Sequence, residues 1–261
     1  MDYAVTQGIN FFDTAEMYAV PPDASTFGRT EEIIGTWFKK TGKRNDIVLA
    51  SKVAGGGRPW VRDGRGIDGP SVREAVEGSL RRLQTDRIDL YQIHWPRRGH
   101  YHFEGSWDYN PYLQDKEAVL PNLLEVLQVT GELVREGKIL HFGLSNESAW
   151  GTMQYLKLSM ELGLPRLQTI QNEYNLLRRY TTRTWRNSHS MRMSGCSHTR
   201  RWRPGRYPES TLAACCRRGR AAPWRARPIA TTSIPSRRSG PISRSLRSTG
   251  STSARWRLRC A

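Results

Sequence analysis

Short apolar runs in this sequence each end in polar side chains of the types that carry out catalysis or bind ligands. Tyr18 follows the first of these run ends by five residues. The run ends are Asp13, Lys52, His94, the pair Ser145-Asn146, and Gln171. If the runs are neighbouring parallel strands, their carboxyl ends meet at one face of the fold, which is where parallel α/β barrels carry their functional groups. The pattern therefore predicts a single site built from several strand ends.

Four of these side chains suit proton donation to a carbonyl oxygen. A lysine ammonium beside a phenol stabilises the phenolate and makes the phenol a stronger acid, and a carboxylate keeps the ammonium charged and oriented. An imidazole on the opposite side can donate a hydrogen bond to a carbonyl oxygen and polarise it. This chemistry predicts Tyr18 as a general acid assisted by Lys52 and Asp13, with His94 orienting a carbonyl.

The apolar runs have the length and composition of buried strands, and segments of helical spacing separate them. Near-continuous hydrophobicity is typical of parallel strands that are covered on both faces. The predicted strands span residues 9–13, 47–52, 88–94, 139–145 and 167–171, and the predicted helices span 30–40, 71–83, 120–136 and 150–162. Ser71 and Glu74 have the spacing of a capping box, which predicts that the second of these helices begins at Ser71. The alternation predicts an α/β fold with a parallel sheet.

The charge is distributed very unevenly along the chain. The 261 residues carry a formal net charge of +17. Residues 1–180 hold 22 Lys and Arg against 23 Asp and Glu, whereas residues 181–261 hold 19 Arg, no Lys and a single acid, Glu209. The last segment also contains only six Leu and Ile, with no Val or Phe, which is too little apolar surface to offset the cost of ordering its backbone. We expect residues 1–180 to fold and 181–261 to be a disordered Arg-rich tail.

The sequence gives no sign of secretion, membrane insertion or metal binding. Its first 25 residues lack the basic start and apolar run of a secretory signal, and it contains no apolar stretch of 18 residues. The four cysteines match neither a zinc site nor a disulfide framework, and His100 and His102 have no third ligand nearby. We expect a cytoplasmic protein with no membrane partner and no bound metal. The aromatic loop over residues 97–112 is expected to line a pocket for a small substrate.

The motifs around these positions resemble the aldo-keto reductases, and most closely the branch that contains the bacterial Tas-type proteins. The segments that carry the resemblance lie within residues 1–180: GINFFDTAEMY at 8–18, ASKV at 50–53, DLYQIHWP at 89–96, GKILHFGLSN at 137–146 and TIQNEYNLL at 169–177. The resemblance implies a (β/α)8 TIM barrel of which this chain supplies strands two to six.

The resemblance also implies a reaction and a cofactor. Family members reduce carbonyl compounds with NADPH through an Asp, Tyr, Lys and His tetrad, which falls on Asp13, Tyr18, Lys52 and His94. They hold the nicotinamide carboxamide with a Ser-Asn pair and a Gln, which fall on Ser145, Asn146 and Gln171. The expected partner is therefore a small-molecule aldehyde or ketone.

The last segment departs from the family pattern. Reverse translation of residues 194–205 and 247–261 with GC-rich codons can be read in a neighbouring frame as segments that resemble the family's seventh strand and last helix. We therefore interpret residues 181–261 as out-of-frame translation, and we expect the chain to be a truncated and inactive reductase. Two alternatives are a nucleic-acid-binding role for the Arg- and Trp-rich tail, which would bind phosphate and stack on bases without sequence specificity, and a non-catalytic aldo-keto-like subunit.

Overall fold

A computed structural model of the chain describes residues 1–103, 107–173 and 196–199. The strands are β1 Phe11–Asp13, β2 Val48–Val53, β3 Ile88–Ile93, β4 Ile139–Ser145, β5 Leu167–Glu173 and β6 Cys196–Thr199. The α-helices are α1 Asp2–Thr6, α2 Arg29–Thr41, α3 Gly69–Leu83, α4 Lys116–Arg135 and α5 Ala149–Leu162, and short 3-10 turns lie at Lys43–Asp46, Arg62–Gly64 and Pro111–Leu113. Within the described residues no helix combines the length and the hydrophobicity needed to cross a membrane.

The strands form one parallel sheet in which they are ordered as they occur in the chain. Asp13 lies opposite Ala50 in the first pair, and Ser145 lies opposite Gln171 in the fourth. The crossovers after β1 to β4 contain α2 to α5, so all the carboxyl ends of the strands face the same way. The predicted α/β class and partial barrel are confirmed.

The sheet is curled rather than flat. The Gln171 side chain at the end of β5 donates a hydrogen bond from Nε2 to Asp13 Oδ2 at the end of β1, at 3.0 Å, although three strands separate β1 from β5 in the sheet. The main hydrophobic core lies where the strands pack against the helices. Members of that core from the strands include Leu49, Ile88, Ile139, Phe142 and Leu167, and members from the helices include Phe38, Val76, Leu127 and Tyr155. The sheet therefore curves so that the helices cover its outer face, while the polar side chains at the strand ends approach one another on the inner side.

The first difference from the sequence analysis is where elements begin: β1 begins at Phe11 rather than at residue 9, and α4 begins at Lys116 rather than at residue 120. The helix predicted to begin at Ser71 begins at Gly69, because Asp68 is the capping residue and its Oδ1 accepts from the Ser71 backbone N–H at 2.9 Å. Pro70 fits the first turn of the helix, where no backbone N–H is needed. The predicted capping box at Ser71 is therefore wrong.

The second difference is a sixth strand within the segment predicted to be disordered. β6 pairs in parallel with β5, with Ser197 opposite Gln171. Backbone N–H and C=O groups at the edge of a sheet can pair with any segment, so an apolar composition is not required there. Apart from this strand, the predicted disorder lies outside the described residues.

Candidate active site

Lys52 lies at the centre of a group of polar side chains at the carboxyl end of the sheet. Its side chain is fully buried on β2, and Nζ donates to Asp13 Oδ2 and to the Thr14 backbone oxygen, both at 2.9 Å. Two oxygen acceptors satisfy the buried ammonium, which would otherwise be very costly to remove from water. The charge of Lys52 is thus held at a defined point beside the end of β1.

The Tyr18 ring contacts both this ammonium and the His94 ring. Lys52 Nζ is 5.1 Å from the centroid of the ring, within the range of a cation–π contact. The His94 ring meets the Tyr18 ring edge-on, with centroids 5.6 Å apart. The Tyr18 backbone N–H donates to the Ala15 oxygen, so a tight turn after β1 carries the phenol back over the end of β2. The structure therefore brings Asp13, Tyr18, Lys52 and His94 together, as the spacing predicts.

His94 is an uncharged imidazole in this setting. It is buried, and within the part of the chain that the structure describes its Nδ1 has no hydrogen-bond partner. Burial, and then the positive charge of Lys52, lower the pKa of His94 well below its usual value of 6.5. A neutral imidazole carries one N–H that can donate to an oxygen. His94 can therefore act as a hydrogen-bond donor to a substrate without adding a positive charge to the site.

The unfolding free energy should fall as the pH drops below about 6.5, because the unfolded chain binds a proton at His94 that the native state resists. The stabilising contribution is present above that pH and is lost below it, by about 1.4 kcal/mol per pH unit for one such group. Burial also lowers the pKa of His100 and lowers that of His102 to about 4, so three histidines contribute. Urea unfolding of the wild type and of His94→Gln, at matched pH, isolates the His94 share. Equal slopes below about pH 6.5 for the two proteins would contradict the assignment.

The cofactor residues suggested by the sequence lie on the next two strand ends. Asn146 adopts a positive φ of 50°, and its Nδ2 donates to the His94 backbone oxygen at 2.8 Å and to Ser145 Oγ at 3.0 Å. Its backbone N–H donates to the Gln171 oxygen at 2.9 Å. Gln171 Nε2 in turn donates to Asp13. These contacts join the end of β4 to β3, β5 and β1 in one hydrogen-bonded network.

The side-chain oxygens of Asn146 and Gln171 accept no hydrogen bond from the described residues. Among the residues the structure describes, the hydrogen bonds of the Asn146 and Gln171 side chains all use Nδ2 and Nε2 as donors. Ser145 Oγ accepts one hydrogen bond and retains its own proton for donation. The set therefore offers two acceptors and one donor, which complements a carboxamide group.

Two further aromatic side chains lie close to His94. The Trp95 ring centroid is 5.0 Å from that of His94, and the Phe103 centroid is 5.6 Å from that of Trp95. Gly55 makes this possible, because a Cβ at that position would collide with the Trp95 indole. Trp107, which the sequence analysis placed in the pocket lining, is 95% exposed and lies away from the site. In the described residues no group of three or more His, Cys, Asp or Glu side chains is placed to hold a metal.

Two buried ion pairs next to the site were missed by the sequence analysis. Glu16 pairs with Arg62, and Glu147 pairs with Arg98, whose Nη2 also donates to Ser148 Oγ. Glu16 lies between Asp13 and Tyr18 in the sequence, and Glu147 follows Asn146. This closeness to predicted site residues is the sequence feature that could have pointed to the two glutamates. Loop charges are usually solvated, however, and their arginine partners lie 46 and 49 residues away.

The chain matches proteins of one family over the segment that forms strands β1 to β5 of this sheet. The Aldo/keto reductase family model matches residues 1–191. The chain is 47% identical over 182 residues to the protein tas of Escherichia coli, a match that covers 69% of this chain and 51% of that protein. It is 35% identical over 183 residues to the uncharacterized oxidoreductase YrpG of Bacillus subtilis, covering 69% and 49%.

A more distant relative is the norsolorinic acid reductase B of Aspergillus parasiticus, which is 30% identical over 184 residues, covering 69% of this chain and 41% of that protein. The chain spans about half the length of the curated relatives it matches. The family model covers well over half of the chain, and the curled parallel sheet carries the motifs at its strand ends. By these criteria the chain belongs to the aldo/keto reductase family.

Proposed function

We propose that this site reduces an aldehyde or ketone with NADPH as the hydride donor. The observation that carries the proposal is the fully buried Lys52 ammonium, paired with Asp13 at 2.9 Å and placed 5.1 Å from the centroid of the Tyr18 ring, with the His94 ring edge-on to that ring at 5.6 Å. A cation held beside a phenol in a water-poor site favours transfer of the phenolic proton. Within a family of oxidoreductases this arrangement fits proton delivery to a carbonyl oxygen.

The chain's own residues divide the work between binding and proton transfer. NADPH, when bound, supplies a hydride to the carbonyl carbon. Tyr18 donates its proton to the carbonyl oxygen as negative charge develops there, and Lys52 stabilises the phenolate that is left. Asp13 keeps Lys52 charged and oriented. His94 donates a hydrogen bond that fixes the carbonyl oxygen close to Tyr18.

The proposed cofactor fits the polar groups at the ends of β4 and β5. Ser145 Oγ can donate to the carboxamide oxygen of a nicotinamide, and the open oxygens of Asn146 and Gln171 can accept from its NH2 group. The preference for NADPH over NADH is proposed from the family resemblance, since the phosphate-binding residues expected near the last strands lie outside the described residues. The expected location in the cytoplasm is likewise a proposal.

The test compares two proteins. The first is the 261-residue chain itself, and the second is a hybrid in which the 182 matched residues replace their counterparts in the protein tas of Escherichia coli, which restores the length of a relative. Both are assayed for loss of NADPH absorbance with a panel of aldehydes and ketones, and for NADPH binding by fluorescence titration. We expect carbonyl-dependent NADPH oxidation in the hybrid and little or none in the 261-residue chain.

A hybrid that is folded, binds NADPH and still reduces no carbonyl would contradict the proposed reaction. A hybrid that is folded but does not bind NADPH would contradict the roles given to Ser145, Asn146 and Gln171. Nucleic-acid binding is measured separately on the 261-residue chain, with salt dependence as the readout, because electrostatic binding through the Arg-rich segment weakens steeply with salt.

A further inference from the structure

The ion pair between Glu16 and Arg62 lies beside the proposed catalytic residues, and nothing in the proposed reaction uses it. Glu16 lies three residues after Asp13 and two before Tyr18. Its side chain is 1% exposed and that of Arg62 is 5% exposed. Two guanidinium contacts hold the carboxylate: Nη1 lies 2.8 Å from Oε2, and Nη2 lies 2.8 Å from Oε1. This fork geometry is the strongest form of a carboxylate–arginine contact.

Glu16 is also tied to the strand that carries Lys52. Its Oε1 accepts from the Ala54 backbone N–H at 2.6 Å, and its own N–H donates to the Lys52 backbone oxygen at 3.2 Å. Its backbone oxygen accepts from the Gly28 N–H at 2.8 Å, just before α2 begins. Four separate hydrogen-bonding groups of one residue therefore fix the turn between Asp13 and Tyr18 against the end of β2.

Arg62 also contacts the backbone just after β2, in addition to Glu16. Its Nη2 donates to the Ala54 backbone oxygen at 2.9 Å, so the guanidinium contacts both Glu16 and the chain two residues beyond Lys52. Arg62 and Asp63 have φ values of 49° and 55°, a left-handed conformation that costs energy for residues other than glycine. A turn of this kind persists only when its surroundings stabilise it. Here the turn places the Arg62 guanidinium against the buried Glu16 carboxylate.

We infer that Arg62 is a positioning residue for the proposed carbonyl reduction, and that it acts through Glu16 to fix the Tyr18 ring relative to Lys52 and His94. The inference rests on the proposed function for its effect on turnover, but its structural part does not. An error of about 1 Å in the placement of a reacting group can lower a rate by about 100-fold. Removing the fork should therefore affect kcat much more than KM, because the Arg62 side chain is buried at 5% exposure and is not presented to a substrate.

The test separates positioning from folding with a double variant. Arg62→Met alone leaves the Glu16 carboxylate buried without its cation, so it should lower the melting temperature as well as the turnover. Glu16→Gln combined with Arg62→Met removes both charges, retains an acceptor for the Ala54 N–H, and should return the melting temperature to near the wild-type value. In the hybrid we expect the double variant to keep a kcat about 10- to 100-fold below wild type, with little change in KM.

A second readout needs no turnover. In protein labelled with 13C-histidine, the His94 ring signal, assigned with His94→Gln, senses the adjacent Tyr18 ring. We expect that signal to shift in the double variant of both the 261-residue chain and the hybrid. Arg62→Lys should shift it too, because an ammonium neutralises the charge but cannot form the fork.

Arg73→Met is the matched control. Arg73 lies on α3, and its ion pairs with Glu132 and Glu136 are partly exposed, so its loss should change neither the His94 signal nor kcat. Recovery of both kcat and the wild-type His94 signal in the double variant would reduce Arg62 to a purely structural role and overturn the inference. If the hybrid has no turnover, the proposed function fails while the His94 signal still decides the inference.

Discussion

Replacing Tyr18 with Phe is expected to lower kcat for carbonyl reduction by about 100- to 10,000-fold in the hybrid, the range that a positioned general acid contributes. The substitution removes a single oxygen atom and keeps the ring that contacts Lys52 and His94. The packing at the site should therefore survive, and the melting temperature should change little. Steady-state kinetics with the best carbonyl of the panel, together with thermal unfolding, measure both effects.

Tyr3→Phe serves as the matched control. Tyr3 lies on α1 with 78% of its surface exposed, so the same loss of a hydroxyl group should leave kcat unchanged. If Tyr18→Phe retained full activity, the proton would have to come from another group, and the proposed role of Tyr18 would be wrong.

Replacing Lys52 with Met should lower both turnover and stability. Removal of the cation beside the Tyr18 ring takes away the stabilisation of a phenolate, and removing one electrostatic contact to a developing charge costs about 100- to 1,000-fold in kcat. The variant also leaves the Asp13 carboxylate without its ammonium. The loss of unfolding free energy should be smaller than the roughly 3–5 kcal/mol seen when a fully buried pair is broken, because the Asp13 side chain is 25% exposed and keeps its hydrogen bond from Gln171.

Urea unfolding and NADPH oxidation measure the two effects of Lys52→Met in the same preparations. Lys138→Met is the control, since Lys138 pairs with Glu77 and Glu136 on an exposed part of the surface. A Lys52→Met protein with wild-type kcat would contradict the proposed tuning of Tyr18. A protein with normal stability but no turnover would indicate that Asp13 is protonated or solvated in the variant.

The strands could be predicted closely because parallel strands covered on both faces are continuous apolar runs. The run 139–145 matches β4 Ile139–Ser145 at both ends, and the polar residue that closes each run lies within two residues of the end of its strand. Helix ends were predicted well where glycine provides the end, as at Gly163, which has a φ of 64°. The start of α3 was missed because Asp68 caps it across Gly69 and Pro70, and those residues by themselves favour a turn.

Contacts between distant loops could not be predicted from the sequence. Site residues at strand ends follow from local patterns, whereas the Glu16–Arg62 fork depends on how the segment after β2 folds back over the turn after β1. β6 was missed for a related reason, because its pairing depends on the edge that β5 presents rather than on its own composition. Periodicity predicts which face of an element is buried, but it does not predict which loops contact each other.

The contacts of Asp13 also set the order in which the site can be assembled during synthesis. Its partner Lys52 lies 39 residues further along the chain, whereas its partner Gln171 lies 158 residues away. At a ribosomal rate of about 5–20 residues per second, the ion pair can form on the order of ten seconds before Gln171 has been made. Asp13 and Lys52 can therefore meet while the later strands are still absent, whereas the contact of Asp13 with Gln171 has to wait for the synthesis of β5.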